Sequence, residues 1–331
     1  MRQSFEIGQL FIVGYPGEYP SEEFLDFVEK ENIGGVILFA DNCHNHSRTR
    51  DAIDAIRSRC RDHQPFVAID QEGGRVSRLK GAPAEILAAW EYGSRNHLER
   101  FAEDYGRSAL YMESLGFNMN LAPVCDIFLD KNNVCLHGRC FGDTPERVAQ
   151  FVQQSVAVSR RTGLISCLKH FPGLGAAEID PHVRVAEASY DEMVWQQRER
   201  IPFAAGIDAG ADMIMTTHVR LPKIDQQIVT GSSKIISSLI RRQLQFDGIV
   251  ITDDLCMAGA EPLGSYGERT VAAFNAGHDI LLFGQKLGAS MEAYDYFCEA
   301  VERGEVNREQ LQTAHQRVSG LKFSLRRTAI G

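Results

Sequence analysis

Acidic, basic and imidazole side chains stand at the ends of apolar runs along this chain, where rigid backbone would hold them. Ile249-Val250-Ile251 leads through Thr252 into Asp253-Asp254, and Phe66-Val67-Ala68-Ile69 leads into Asp70-Gln71-Glu72. Lys169-His170 closes a run that begins at Ile165, His218 one that begins at Met213, and Asp126 follows Leu121-Ala122-Pro123-Val124-Cys125. A carboxylate on a rigid element suits a nucleophile or a stabiliser of developing positive charge. A further pair, Asp180 and His182, is separated by one residue in a glycine- and alanine-rich stretch. On an extended segment, side chains so spaced point the same way. The carboxylate then raises the imidazole pKa and fixes its tautomer, which makes a general acid for near-neutral pH.

The elements that must position these groups are legible in the apolar pattern. Eight short runs begin near residues 10, 35, 66, 117, 165, 213, 248 and 279, apolar nearly throughout rather than alternating. Parallel strands buried on both faces read this way. Helical stretches lie between them at 21–31, 47–62, 98–115, 145–162, 190–209, 233–245 and 267–277, and a helical tail runs over 289–325. Asp143-Thr144-Pro145-Glu146 has the cap and first-turn proline of a helix start, and Ser21-Glu22-Glu23 places acids at the positive helix end. The pattern predicts an α/β fold: a single (β/α)8 barrel domain over residues 1–331 with a C-terminal helical tail. An open doubly wound sheet is the alternative, but Gly73-Gly74 and Gly173-x-Gly175 lack its dinucleotide-binding spacing.

In such a barrel the polar strand ends all face one rim. Each has a plainer explanation: Asp70 paired with Arg75 or Arg78, Lys169 in a rim ion pair, His170 and His218 bonded to backbone carbonyls, Asp254 capping the next helix. Together they converge on one end, where desolvated charge calls for a ligand.

The segment Lys169-His170-Phe171-Pro172-Gly173-x-Gly175, followed by Asp180-x-His182, resembles the signature of the β-N-acetylglucosaminidases of glycoside hydrolase family 3. The likeness continues, in family order, through Ile69-Asp70-Gln71-Glu72-Gly73-Gly74-Arg75-Val76-x-Arg78, Asn120-Leu121-Ala122-Pro123-Val124-Cys125-Asp126, Gly138-Arg139-x-Phe141-Gly142 and Thr252-Asp253-Asp254-Leu255-x-Met257. The resemblance implies a retaining mechanism, with Asp253 as nucleophile, His182 as acid/base and Asp180 as its partner. It implies that Asp70, Arg78, Arg139, Lys169 and His170 hold the sugar hydroxyls and acetamido group. Arginine and lysine suit that task because they only donate hydrogen bonds. Two positions depart from the family pattern: Leu174 where histidine is usual, and Pro181 where serine or threonine is usual. Both bear on loop motion and fine specificity.

The resemblance further implies terminal β-linked N-acetylglucosamine as substrate, taken from peptidoglycan fragments in cell-wall recycling, with chitin oligosaccharides as the alternative. A chain ending after the barrel fits the single-domain branch of the family. Other readings are a β-glucosidase or an N-acetylglucosamine phosphorylase of the same family. A metal-dependent amidohydrolase barrel would use His44-Asn45-His46 with His170, His218 and Asp253. A Schiff-base aldolase would act through Lys169, and a sugar-binding protein would share the barrel without the chemistry. Composition is ordinary: 44% apolar, 24% charged, with 35 Lys+Arg against 44 Asp+Glu for a net charge of −9. No basic run suggests nucleic acid, and neither a signal-peptide core nor an apolar window of about 20 residues suggests a membrane. The eight cysteines form no C-x-x-C pair and read as reduced thiols. The expectation is a cytoplasmic monomer acting on a carbohydrate, with no cofactor and no metal.

Overall fold

The computed structural model describes residues 6–60, 63–177 and 186–328. Eight strands form the central sheet: β1 (Phe11–Gly14), β2 (Gly35–Leu38), β3 (Phe66–Ile69), β4 (Met119–Asn120), β5 (Ile165–Phe171), β6 (Met213–Thr216), β7 (Ile249–Ile251) and β8 (Leu281–Phe283). Their lateral order is β7-β6-β5-β4-β3-β2-β1-β8, and neighbouring strands pair in parallel. A parallel bridge between Ile251 and Ile280 joins the two outer strands and closes the ring. The expected (β/α)8 barrel is therefore observed. Every residue of these strands is buried, because one face meets the barrel interior and the other the helices.

The helices that follow the strands are α1 (Glu22–Lys30), α2 (His46–Arg59), α3 (Leu98–Leu115), α4 (Pro145–Thr162), α5 (Arg200–Asp208), α6 (Ile236–Gln243), α7 (Tyr266–Ala276) and α8 (Leu287–Arg303). Local chemistry sets their ends. Ser21 accepts from the Phe24 N–H, Thr144 from that of Arg147, and Ser265 forms a reciprocal box with Glu268.

Three expectations need adjustment. The fourth strand is only two residues long, because Pro123 has no N–H with which to extend the ladder. The expected helix at 190–209 is broken into Glu192–Gln197 and Arg200–Asp208. The Pro202 ring would clash with the Arg198 carbonyl if one helix continued through it. The tail also divides, at Gly304, into α8 and α9 (Arg308–Thr328).

α9 docks on the N-terminal end of the barrel. Lys322 Nζ donates to Gln9 Oε1 (2.8 Å) and to the Gly34 carbonyl (2.6 Å). Fully buried Asp279 accepts from Arg317 of α9 (3.0 Å), Arg241 of α6 (2.7 Å) and the Val250 N–H (2.9 Å). This end is thus spent on stability, and the opposite rim is left for chemistry. All eight cysteines carry free thiols. Among the described residues no helix is long and apolar enough to cross a membrane.

Candidate active site

Strand β3 delivers Asp70 to the rim, and the chain then folds back as a small hairpin, Gln71–Gly73 against Val76–Ser77. Buried Gln71 organises this turn. Its Nε2 donates to Ser77 Oγ (2.8 Å) and to the carbonyls of Leu79 (3.0 Å) and Ala84 (3.1 Å), while its Oε1 accepts from the Arg78 N–H (2.8 Å). The reversal needs Gly73, whose φ is +102° and whose Cα faces the Leu87 carbonyl so closely that a Cβ would sit 2.4 Å from it. The hairpin brings Arg78 back beside Asp70 and Arg75 to the same cavity.

Asp70, Arg78, Arg139, Lys169, His170 and Asp253 all line one cavity of about 370 Å³ at this rim. That size lies near the lower end of ligand pockets, roughly 300–1,000 Å³, and suits one sugar ring rather than a polymer groove. At its floor Lys169 Nζ is held between Asp70 Oδ1 (2.6 Å) and Glu72 Oε1 (2.7 Å). Arg139 grips Glu72 with two parallel bonds, both 2.8 Å. Arg78 Nη2 reaches the other oxygen of Asp70 at 3.3 Å.

Charge in this cluster is settled by competition between burial and pairing. Burial works against the Glu72 carboxylate, but Arg139 and then Lys169 outweigh it and hold its pKa well below the usual range. Asp70 is likewise lowered: burial is opposed by Lys169 and Arg78, with Glu72 pushing the other way. Burial also disfavours the Lys169 ammonium, yet Asp70 and Glu72 keep its pKa above the ordinary value. A lysine so held is an ammonium, which removes the neutral amine a Schiff-base aldolase needs.

The rim histidines are tied down. Arg139 Nη2 lies 3.2 Å from His170 Nε2, and arginine can only donate, so that nitrogen accepts. The ring proton is therefore on Nδ1, which meets Asp126 Oδ2 at 2.7 Å. Asp126 also accepts from the Leu174 N–H at 2.6 Å, and the Leu174 side chain lines the cavity. His218 is fully buried, with Nε2 at 3.0 Å from the Asp254 carbonyl and Nδ1 at 2.7 Å from Thr230 Oγ1. Burial lowers its pKa. For His218 the plainer expectation, a core histidine bonded to a carbonyl, is what the structure contains.

The two acids after β7 have different surroundings. Asp253 Oδ1 accepts from the Asp254 N–H (2.8 Å), and its Oδ2 has no hydrogen bond from the described residues. Asp254 was expected to cap the following helix. It does not: its Oδ1 accepts from the Cys256 and Gly284 N–H groups, both 2.8 Å, and so ties the β7 loop to the end of β8. The caps of the following helical segments fall at Met257 and Ser265 instead.

Asp180, Pro181 and His182 lie outside the described residues. The ligand set of the amidohydrolase reading is not assembled. His44 and His46 do not line the cavity; His46 Nδ1 is 2.9 Å from the Tyr111 hydroxyl. Sequence reasoning assigned no role to Glu72 and Asp126, which orient Arg139, Lys169 and His170. Their signal was available: cations converging on one rim need buried counter-charges, and both acids sit inside the motif blocks.

The sequence matches the glycosyl hydrolase family 3 N terminal domain over residues 4–321. It is 30% identical over 333 residues to β-hexosaminidase A of Pseudoalteromonas piscicida, covering 92% of this chain and 55% of that protein. It is 31% identical over 279 residues to the β-hexosaminidase of Xanthomonas euvesicatoria, covering 82% of this chain and 83% of the relative. The solved structure of a glycoside hydrolase family 3 β-N-acetylglucosaminidase from Paenibacillus sp. str. FPU-7 superposes with a TM-score of 0.94 at 28% identity, over 98% of this chain and 63% of that one. This chain thus spans about half of the first relative and less than two thirds of the solved chain. The barrel, its polar rim and the match along nearly its whole length agree: the chain belongs to glycosyl hydrolase family 3, as that family's N-terminal domain.

Proposed function

We propose that this chain is a retaining exo-β-N-acetylhexosaminidase that removes terminal β-linked N-acetylglucosamine through a covalent intermediate on Asp253. The observation that supports it most is the state of Asp253. Among the described residues, Asp253 lines the cavity and accepts a single backbone N–H, on Oδ1, whereas Asp70 and Glu72 are committed to cations and Asp254 to two backbone N–H groups. The names of the relatives, β-hexosaminidases and a β-N-acetylglucosaminidase, support the sugar class.

In this reading the sugar enters ring-first, and its hydroxyls and acetamido group meet Asp70, Arg78, Arg139, Lys169 and His170. Asp253 Oδ2 attacks C1 as His182, oriented by Asp180, protonates the leaving oxygen. The oxocarbenium-like charge that develops is stabilised by the carboxylate itself. His182 then takes a proton from water, the oxygen attacks C1, and Asp253 is released. Neither ring nitrogen of His170 or His218 is available for this work, which favours His182 as the acid/base. Peptidoglycan fragments cleaved in the cytoplasm during wall recycling are the proposed natural substrates, with the chain acting as a monomer.

The test is release of nitrophenol from 4-nitrophenyl N-acetyl-β-glucosaminide by wild type and Asp253→Ala, with the plain β-glucoside as control. Turnover of the acetamido substrate, reduced roughly 10⁴-fold in a folded variant, is expected. Turnover of the plain glucoside alone overturns the sugar class. No turnover of either overturns the reading.

A further inference from the structure

The cavity has one cation whose bonding differs from that of the rest. Lys169, Arg139 and Arg78 each contact a carboxylate. Arg75 also lines the cavity, yet its Nη2 donates to two neutral acceptors, the carbonyls of Val134 (3.0 Å) and Cys135. No carboxylate pairs with it among the described residues. Its Nε and Nη1 have no hydrogen bond from the described residues, and the residue is exposed.

Its location says what it faces. Lys169, Arg139 and Glu72 are buried and form the floor, whereas Arg75 stands at the mouth beside Val134, which is 57% exposed. A cavity closed at its floor takes the terminal sugar inward, so the leaving group projects through the mouth. The segment that fixes Arg75 is itself braced. Phe128 packs edge-on against Trp90 and against His137, each 5.5 Å between ring centres, and His137 Nε2 is 2.6 Å from the Lys131 carbonyl. One guanidinium nitrogen is thus anchored while the rest presents a positive charge at the exit.

We infer that Arg75 is the cation of a leaving-group subsite and that it selects glycosides whose leaving group carries a carboxylate. This rests on the hydrolase reading above and adds the chemistry of the leaving-group side. A guanidinium with unused donors pairs with a carboxylate by charge-assisted, often forked, hydrogen bonds. The neighbouring apolar surface of Val76 and Met257, which also line the cavity, gives a ring-sized group something to rest on.

The experiment compares 4-nitrophenyl N-acetyl-β-glucosaminide with the same glycoside of 2-carboxy-4-nitrophenol, using wild type, Arg75→Gln and Arg75→Lys. Gln keeps a donor for the Val134 and Cys135 carbonyls but removes the charge; Lys keeps the charge. In Arg75→Gln, kcat/KM for the carboxylated glycoside should fall about three- to five-fold further than for the neutral one, the upper scale of an exposed ion pair. Arg75→Lys should retain most of the preference, and 0.5 M salt should erode it in wild type. Equal losses on both substrates would overturn the inference, since they would mean that Arg75 only braces the loop. So would no loss on either. Failure of wild type to turn over the neutral glycoside would instead overturn the hydrolase reading itself.

Discussion

Arg139 and Glu72 meet through two parallel hydrogen bonds of 2.8 Å, with both side chains buried. The arginine that the motif assigns to the sugar is therefore already half-occupied by a carboxylate. Glu72 also accepts from Lys169, so one acid orients two of the cations that line the cavity. Glu72→Gln should leave both cations short of a counter-charge. Breaking a buried pair from one side costs about 3–5 kcal/mol of stability. Activity on the acetamido glycoside should fall by about 100-fold or more, the effect of about 3 kcal/mol lost at the rim. Denaturant unfolding and kcat/KM together check this, and wild-type values in both would refute the role given to Glu72.

The same cluster predicts an acid limb of stability. Asp70 and Glu72 both titrate lower in the folded chain than in the unfolded one, where carboxyls titrate near pH 4. The unfolded state then binds more protons in that range, so stability rises with pH. The contribution is fully present above about pH 5 and is lost as pH falls through 4 and below. Glu72→Gln should be less stable at neutral pH but show a shallower decline below pH 5. Unfolding midpoints measured from pH 3 to 7 would reveal parallel curves if the cluster did not titrate this way.

Asp126 serves three donors: its Oδ2 accepts from the His170 Nδ1–H and backbone N–H, and its Oδ1 accepts from the Leu174 N–H. Asparagine offers a single acceptor oxygen and an NH₂ that would face one of these donors. Asp126→Asn should thus free the His170 ring to turn or change tautomer. Loss of a hydrogen bond to a charged group is worth about 1.5–3 kcal/mol, or roughly 10- to 150-fold in kcat/KM. The ring ¹⁵N shifts of His170 should show the proton leaving Nδ1; unchanged shifts would count against the assigned tautomer.

Gly173 follows His170-Phe171-Pro172 with φ at +126°, and a Cβ there would lie 2.6 Å from Cγ of Glu199. Glu199 is buried and cannot withdraw easily; its Oε1 accepts from Arg198 Nε at 2.7 Å. Gly173→Ala should cost about 1–3 kcal/mol from backbone strain, plus the clash. Because this segment leads from the cavity floor toward Asp180 and His182, kcat should drop more than stability alone accounts for. The double variant Gly173→Ala/Glu199→Ala should recover only part of the loss, since the strained φ remains. Full recovery would show that the contact, not the backbone angle, is what matters.

Much of this protein is legible along the chain. The eight apolar runs mark the eight strands because a strand buried on both faces has nowhere for a polar side chain to go. The helix starts at Ser21 and Thr144 are visible because capping is a contact over three residues. The motif blocks name the residues that line the cavity, since strand ends in a closed parallel barrel share one rim. Partner choice is another matter. Lys169 and Asp70 are 99 residues apart, Arg139 and Glu72 are 67 apart, and His170 and Asp126 are 44 apart. No local pattern encodes which cation takes which acid. That follows from strand register and from the balance of burial against pairing, both of which exist only once the ring has closed. Asp253 and Asp254 make the point most directly. They are adjacent and chemically identical in sequence, yet among the described residues one accepts a single backbone N–H and the other two, because Gly284, just past the end of β8, lies against only one of them.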